Sequence, residues 1–236
     1  TDGELVSFLV PARFAAQLLD KARADLAAGR TMQPRDIVAE IGRQLAQRQS
    51  ELYKQLDESG FRPSTFGPYR ASEVSAPWFT CWAQTNATQS PKPRAAVNTT
   101  NCASDTRLFV AGDLNVGLVQ LTHSYVRSTE LNPFQFATFL SRQNQIGWTG
   151  NAASKWYTRQ RCHEDFVAAG EGRPPIRAVW CARAYRKFDD LYDVWVSAVT
   201  QDRETEALSS RLVLQSVTFD NAARLTRRFL EDVRWA

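Results

Sequence analysis

Ile176–Phe188 (IRAVWCARAYRKF), Leu191–Thr200 (LYDVWVSAVT) and Leu208–Val217 (LSSRLVLQSV) follow one another closely near the C-terminal end. Each is rich in β-branched and aromatic residues and long enough for a full strand. Asp189-Asp190 and the polar Gln201–Glu206 separate them, so they read as three antiparallel strands joined by turns. Asp220 then reads as the cap of a helix carrying Ala223, Leu225, Phe229, Leu230 and Val233. Consecutive strands closed by a helix point to an α+β fold rather than to alternating βαβ units.

The stretch before it has a similar order. Trp78–Gln84, Ala95–Asn101, Arg107–Ala111 and Asn115–Val126 read as strands. Asn132 with Pro133 at the first helical position opens a helix whose apolar side holds Phe134, Phe136, Ala137 and Leu140. Gly147, Gly150 and Asn151 mark a break, after which Lys155–Cys162 reads as a strand and His163–Ala169 as a short helical turn. Residues 78–145 and 153–236 therefore resemble two copies of a β-β-β-α unit. Residue identity between them is weak, so order and spacing carry the comparison. Two such units predict one antiparallel sheet with helices on one face.

Upstream, Glu4–Val10 reads as a strand ended by Pro11. Ala12–Ala28 places Phe14, Leu18, Leu19, Ala22 and Leu26 on one helical face, and Gly29 stops it. A second helix runs from Pro34 to Gly60, with Ile37, Ile41, Leu45, Leu52 and Leu56 inward and Arg43, Gln44, Gln47, Arg48 and Gln49 toward solvent. These two helices are expected to form a hairpin over 1–60. Pro63, Gly67, Pro68 and Pro77 make 61–77 the expected linker to a domain over 78–236.

Composition narrows the function class. Of 236 residues, 43% are hydrophobic and 23% charged, which suits a packed core and excludes a disordered chain. No apolar run approaches the ~20 residues that span a bilayer. The net charge of +4 is too small for a nucleic-acid footprint, and Arg224, Arg227, Arg228 and Arg234 read as the solvated face of a helix. The preference for Arg over Lys and the many alanines fit a bacterial genome rich in G and C.

The four cysteines are Cys81, Cys102, Cys162 and Cys181. Their separations, 102 − 81 = 21 and 181 − 162 = 19, favour two disulfides over four buried thiols. Of the three connectivities, we take Cys81–Cys102 and Cys162–Cys181. Disulfides imply an oxidising compartment, here the periplasm or the exterior of a bacterium. No Cys-x-x-Cys or other zinc spacing occurs, so no metal is expected. No Gly-x-x-x-x-Gly-Lys-Ser/Thr or Gly-x-Gly-x-x-Gly loop occurs either, so no cofactor is expected, and Ala111–Asn115 reads as a hairpin turn. Asp189, Asp190 and Asp193 read as turn and strand residues before they read as a cation site. Asn86-Ala87-Thr88 and Asn98-Thr99-Thr100 match the glycosylation sequon, which is idle in most bacterial proteins.

The only histidines are His123 and His163. His123 lies within a strand of alternating residues, and His163 abuts a cysteine expected to be oxidised, so neither has a thiolate or an evident serine to activate. Seven tryptophans exceed the usual needs of one core. Trp180 and Trp195 read as a cross-strand pair, and Trp156, Tyr157, Tyr192 and Trp195 as candidates for an exposed protein-binding patch.

Gly3-Glu4-Leu5-Val6-Ser7-Phe8-Leu9-Val10-Pro11 and the apolar helix through Leu19 resemble the end of a trypsin-like serine protease domain of the bacterial periplasmic, heat-shock-protease type. There the last barrel strand reads Phe-x-Val-Pro and a helix closes the domain. The resemblance covers residues 3–19 and includes no nucleophile motif, histidine or acid, so no catalytic residue is carried over. It implies a non-catalytic accessory region that follows a protease barrel and binds a protein or peptide. Two other readings stay open: a stand-alone envelope binding or assembly protein, and an enzyme using His123 or His163.

Overall fold

The computed structural model describes residues 11–30, 36–88, 94–144 and 154–236. The expected strand over Glu4–Val10 and the break at Gly147, Gly150 and Asn151 lie outside them. The fold is α+β and its strands pair antiparallel throughout. The chain divides into two compact units, Thr1–Ile37 and Val38–Ala236.

The first unit holds helix α1 (Ala12–Ala27), which opens after Pro11 and ends before Gly29. It buries none of its residues, and Phe14, Leu18 and Leu26 stand exposed.

In the second unit, helix α2 (Ile37–Gln55) runs into a π turn, Leu56–Gly60. Its inward face is the expected one in part, since Leu45 and Leu56 are buried and Ile41 packs beside Leu45. Gly42, Leu45, Gln49 and Tyr53 are buried, and Ile37 is 72% exposed. Gln49, expected in solvent, is buried because Ser216 offers its amide a partner: Gln49 Nε2 donates to Ser216 Oγ at 2.9 Å. Tyr53 and Leu56 enter the main core and Leu45 a second cluster with Leu114, Val116, Tyr185, Phe188 and Leu191.

Residues 61–77 are not a linker. Strands β1 (Phe61–Phe66) and β2 (Tyr69–Val74) form a hairpin through Gly67-Pro68. Gly67 has φ +59°, and a Cβ there would strike the Tyr125 ring, so the turn needs glycine. Phe66, Tyr69, Ala71 and Val74 sit in the main core. The prolines misled because Pro63 is tolerated in β1, an edge strand paired only with β2.

The body is one seven-stranded sheet. Its strands are β3 (Phe79–Thr85), β4 (Ala96–Ser104), β7 (Val119–Arg127), β8 (Arg161–Val167), β9 (Ile176–Ala184), β10 (Tyr192–Thr200) and β11 (Glu206–Val217). Their order is β3-β4-β7-β11-β10-β9-β8. The three deciding stretches are thus β9, β10 and β11, paired in sequence. The expected strand Asn115–Val126 splits at Gly117 (φ +85°), where a Cβ would meet the Thr106 carbonyl at 2.8 Å. Its first part is β6 (Leu114–Val116), which forms a small hairpin with β5 (Leu108–Ala111) around Gly112-Asp113. Residues 163–167 are strand, not helical turn, since β8 pairs with β9 along its whole length. The strand expected over Lys155–Cys162 is reduced to an isolated bridge, Tyr157 to Tyr185, ahead of β8.

Helix α3 (Pro133–Gln143) carries the expected cap, with Asn132 Oδ1 accepting from Gln135 N and Gln135 Oε1 from Asn132 N. Helix α4 (Phe219–Glu231) has Thr218, not Asp220, at its N-cap position, without a side-chain capping bond, and the Asp220 carboxylate lies in the first turn against the positive helix end. The helices lie on opposite faces of the sheet, not on one. Leu225 and Phe229 of α4 pack with Val194, Val196, Leu212 and Leu214. Phe136 and Leu140 of α3 pack with Val126, Val199 and Ala207, which alternate to the other side. A two-residue strand β12 (Arg234–Trp235) adds to β2.

Both expected disulfides are present. Cys81 and Cys102 are register partners on β3 and β4, and Cys162 and Cys181 on β8 and β9. Each ties an outermost strand to its neighbour. The halves share this device and the order of strands before a helix. They differ in strand number, three of the sheet from one and four from the other, so the repeat is one of plan.

Candidate functional site

Register partners share a face of the sheet, which lets its two sides be read directly. The side that α4 covers is closed by the main core. On the other, α3 covers the end near Val199 and Ala207. The remainder, on which no helix packs among the described residues, is termed the open face; its central row runs Trp82, Asn101, Thr122, Arg211, Ser197, Val179, Glu164 from edge to edge, exposed at Trp82 and Glu164 and buried at Ser197 and Val179. The next row runs Thr80, Ala103, Gln120, Val213, Trp195, Cys181, Cys162. Trp82 is 46% exposed on β3, and Trp195 and Arg211 are half-buried at the centre. The Arg211 guanidinium lies 6.0 Å from the Trp195 ring centroid and donates to the Gln143 carbonyl. Thr122 Oγ1 donates to Asn101 Oδ1 at 2.8 Å.

One end of this face rests on a buried carboxylate. Asp193 is fully buried and accepts from Arg183 Nε and Nη2 at 3.0 and 2.8 Å, from Tyr185 Oη at 2.6 Å and from Ser216 N at 3.1 Å. Burial raises its pKa, and Arg183 opposes that shift. Ser216 can point its N–H there because it sits at a bulge between β10 and β11 with φ +52°. Asp193 is thus a structural ion-pair hub and not a cation ligand. Arg183 is the register partner of Asp193 on β9, whereas the sequence had no signal for Ser216, which reaches it through a bulge 23 residues away and is bonded in turn by Gln49.

The four aromatic candidates do not form one patch. Tyr157 lies under the Arg183 guanidinium, 3.7 Å from its ring centroid. Trp156 turns toward α2's cluster, stacked on Phe188, with Nε1 donating to Asp113 Oδ1 at 2.9 Å and Lys155 and Lys187 beside its ring. Tyr192 is on the α4 side against Phe219. Trp195 alone of the four lies in the rows of the open face. Trp180 pairs in register with Val196 and Trp195 with Cys181, so the two tryptophans lie on opposite sides and are not a cross-strand pair.

The histidines are sealed or unaccompanied. His123 Nε2 donates to the Ser72 carbonyl at 2.9 Å, which leaves Nδ1 to accept from Ser210 Oγ at 2.7 Å. This has the form of a serine–histidine pair, but His123 is 1% and Ser210 0% exposed, so no substrate reaches either. Burial lowers the His123 pKa to about 4. His163 stands on exposed β8 opposite Trp180, next to a cysteine held in a disulfide. Among the described residues no group of three or more His, Cys, Asp or Glu side chains could hold a metal. No helix among them is long and apolar enough to cross a membrane. Of the sequons, Asn86 has its amide engaged, donating to the Ala95 carbonyl and accepting from Val97 N.

The chain matches no protein-family model and no curated protein sequence.

Proposed function

We propose that the chain is a non-catalytic protein-binding region that works outside the bacterial cytoplasm beside a trypsin-like serine protease, and that it binds through the open face of the large sheet. The observation that carries this is the pairing of Trp195 with Arg211 at the centre of a face that mixes polar and apolar side chains, with Trp82 at its rim. Trp and Arg are the side chains that dominate binding energy at protein contacts, and they do so from the middle of a patch. The two disulfides support an oxidising compartment. The protease neighbour rests on the resemblance of residues 3–19. A stand-alone envelope binding protein would use the same face, and an upstream coding region with an in-frame Gly-x-Ser-Gly would decide between the two.

Fluorescently labelled casein, an extended protein, tests the binding by anisotropy. Saturable binding is expected, weakened about tenfold or more when Trp195→Ala and Trp82→Ala are combined. No casein turnover is expected. Absence of saturable binding, or turnover that His123→Gln abolishes, contradicts the reading.

A further inference from the structure

The large sheet has two outermost strands, β3 and β8, each paired with one neighbour among the described residues. Strand β3 carries no charged residue. Strand β8 is exposed at every residue and keeps register with β9 throughout, with no bulge or proline to turn other strands away. Its backbone is placed to pair. Cys162 and Cys181 stand 4.0 Å apart at Cα, the short spacing of a non-hydrogen-bonded antiparallel pair. Alternation then turns the N–H and C=O of Cys162, Glu164 and Phe166 outward, away from β9. The Phe166 N–H agrees, since it donates to its neighbour's carboxylate, Asp165 Oδ1, at 2.8 Å.

Charge on an edge strand ordinarily keeps copies apart. On β8 the order of the charges does the reverse. Glu164 is neutralised within the chain by Arg177 at 2.6 Å. That leaves Arg161 near one end and Asp165 toward the other, both exposed and neither in an ion pair among the described residues. A strand that runs from a base to an acid is complementary to itself when reversed. Outward groups meet outward groups only where even-numbered residues face even-numbered ones. A register centred on Glu164 meets this condition but sets two carboxylates directly opposite each other. The register centred on His163 meets it too, and sets Arg161 opposite Asp165 on both sides of the axis. Cys162 and Glu164 then form the hydrogen-bonded pairs. Arg161 and Asp165 fall in non-hydrogen-bonded pairs, where side chains approach most closely.

We propose that the protein pairs with a second copy of itself through β8, antiparallel about a twofold axis at His163, so that the two large sheets run on as one. A twofold contact of this kind covers the bare edge of both copies at once.

The test is sedimentation equilibrium of the full chain over a concentration series, and a monomer–dimer equilibrium is expected. Arg161→Asp and Asp165→Arg each set like charges opposite one another at both symmetric places. Each is expected to weaken the dimer about tenfold. An equimolar mixture of the two variants puts opposite charges back at both places, so it should associate within about threefold of the parent. A variant that had merely misfolded would not be rescued by mixing. The chain carrying both substitutions should dimerise like the parent. A monomer at every concentration overturns the inference. So does a dimer that neither single variant weakens, or one that the mixture and the double substitution fail to restore.

Discussion

At the scale of single residues, burial decides which titratable groups act and which only hold the fold. His123 is protonated near pH 4 when folded and near pH 6.5 when unfolded. Between those values the unfolded chain binds the extra proton, so stability falls as pH drops from about 6.5 to 4 and levels off below. The loss attributable to His123 is on the order of 3 kcal/mol, at about 1.4 kcal/mol per pKa unit. Urea midpoints at pH 7 and pH 4.5 measure it, and His123→Gln should flatten the difference whatever it costs at pH 7. A midpoint difference that His123→Gln leaves intact would move the effect to other groups.

Asp193 makes the complementary case. Replacing it with Asn leaves Arg183, whose side chain is 16% exposed, without its counter-ion. Breaking one side of such a pair should cost about 3 kcal/mol. Chemical denaturation of Asp193→Asn checks this, and a loss under about 1 kcal/mol would show that water already reaches the pair.

At the scale of elements, the disulfides hold the two outermost strands of the large sheet. Strand β8 is exposed along its whole length, including Phe166 at 67%, and its neighbour in the sheet is β9 alone. Replacing Cys162 and Cys181 by serine opens a loop of 19 residues, worth ~3 kcal/mol in the chain-entropy model. Hydrogen exchange should then quicken on β8 and leave β4 and β7 unchanged. Uniform quickening across the sheet would mean that β8 is part of the same cooperative unit as its centre.

Much of this level was legible in the sequence. Strands β9 to β11 announce themselves by β-branched and aromatic runs, α3 by Asn132-Pro133, and the disulfides by their spacing. What failed did so for physical reasons. The Pro and Gly of 61–77 signal a turn and an edge strand as readily as a linker, and only long-range pairing tells them apart. Gln49 reads as surface until Ser216 supplies a buried partner. Trp180 and Trp195 were set on opposite faces by a register that no local pattern encodes. The open face was illegible for the same reason: its central row gathers Trp82, Asn101, Thr122 and Arg211 from four strands.

At the scale of the whole molecule, the division at Ile37–Val38 replaces the one expected at 61–77. A chain beginning at Val38 should melt within a few degrees of the full chain. One beginning at Trp78 lacks Tyr53, Leu56, Phe66, Tyr69, Ala71 and Val74 of the main core and should not fold, since losing even one large core side chain costs about 2–5 kcal/mol against a net stability of about 5–15 kcal/mol. Circular dichroism melts of the two chains decide it, and a cooperative melt from the shorter one would restore the linker.

The central claim is that partners meet the open face and not another aromatic surface. Hydroxyl-radical footprinting of the chain with and without bound casein tests it most directly, because it reports each tryptophan separately. Oxidation of Trp82 and Trp195 should fall on binding while that of Trp156, held between Asp113 and Phe188, stays unchanged. Protection of Trp156 with Trp82 and Trp195 unaffected would contradict the account.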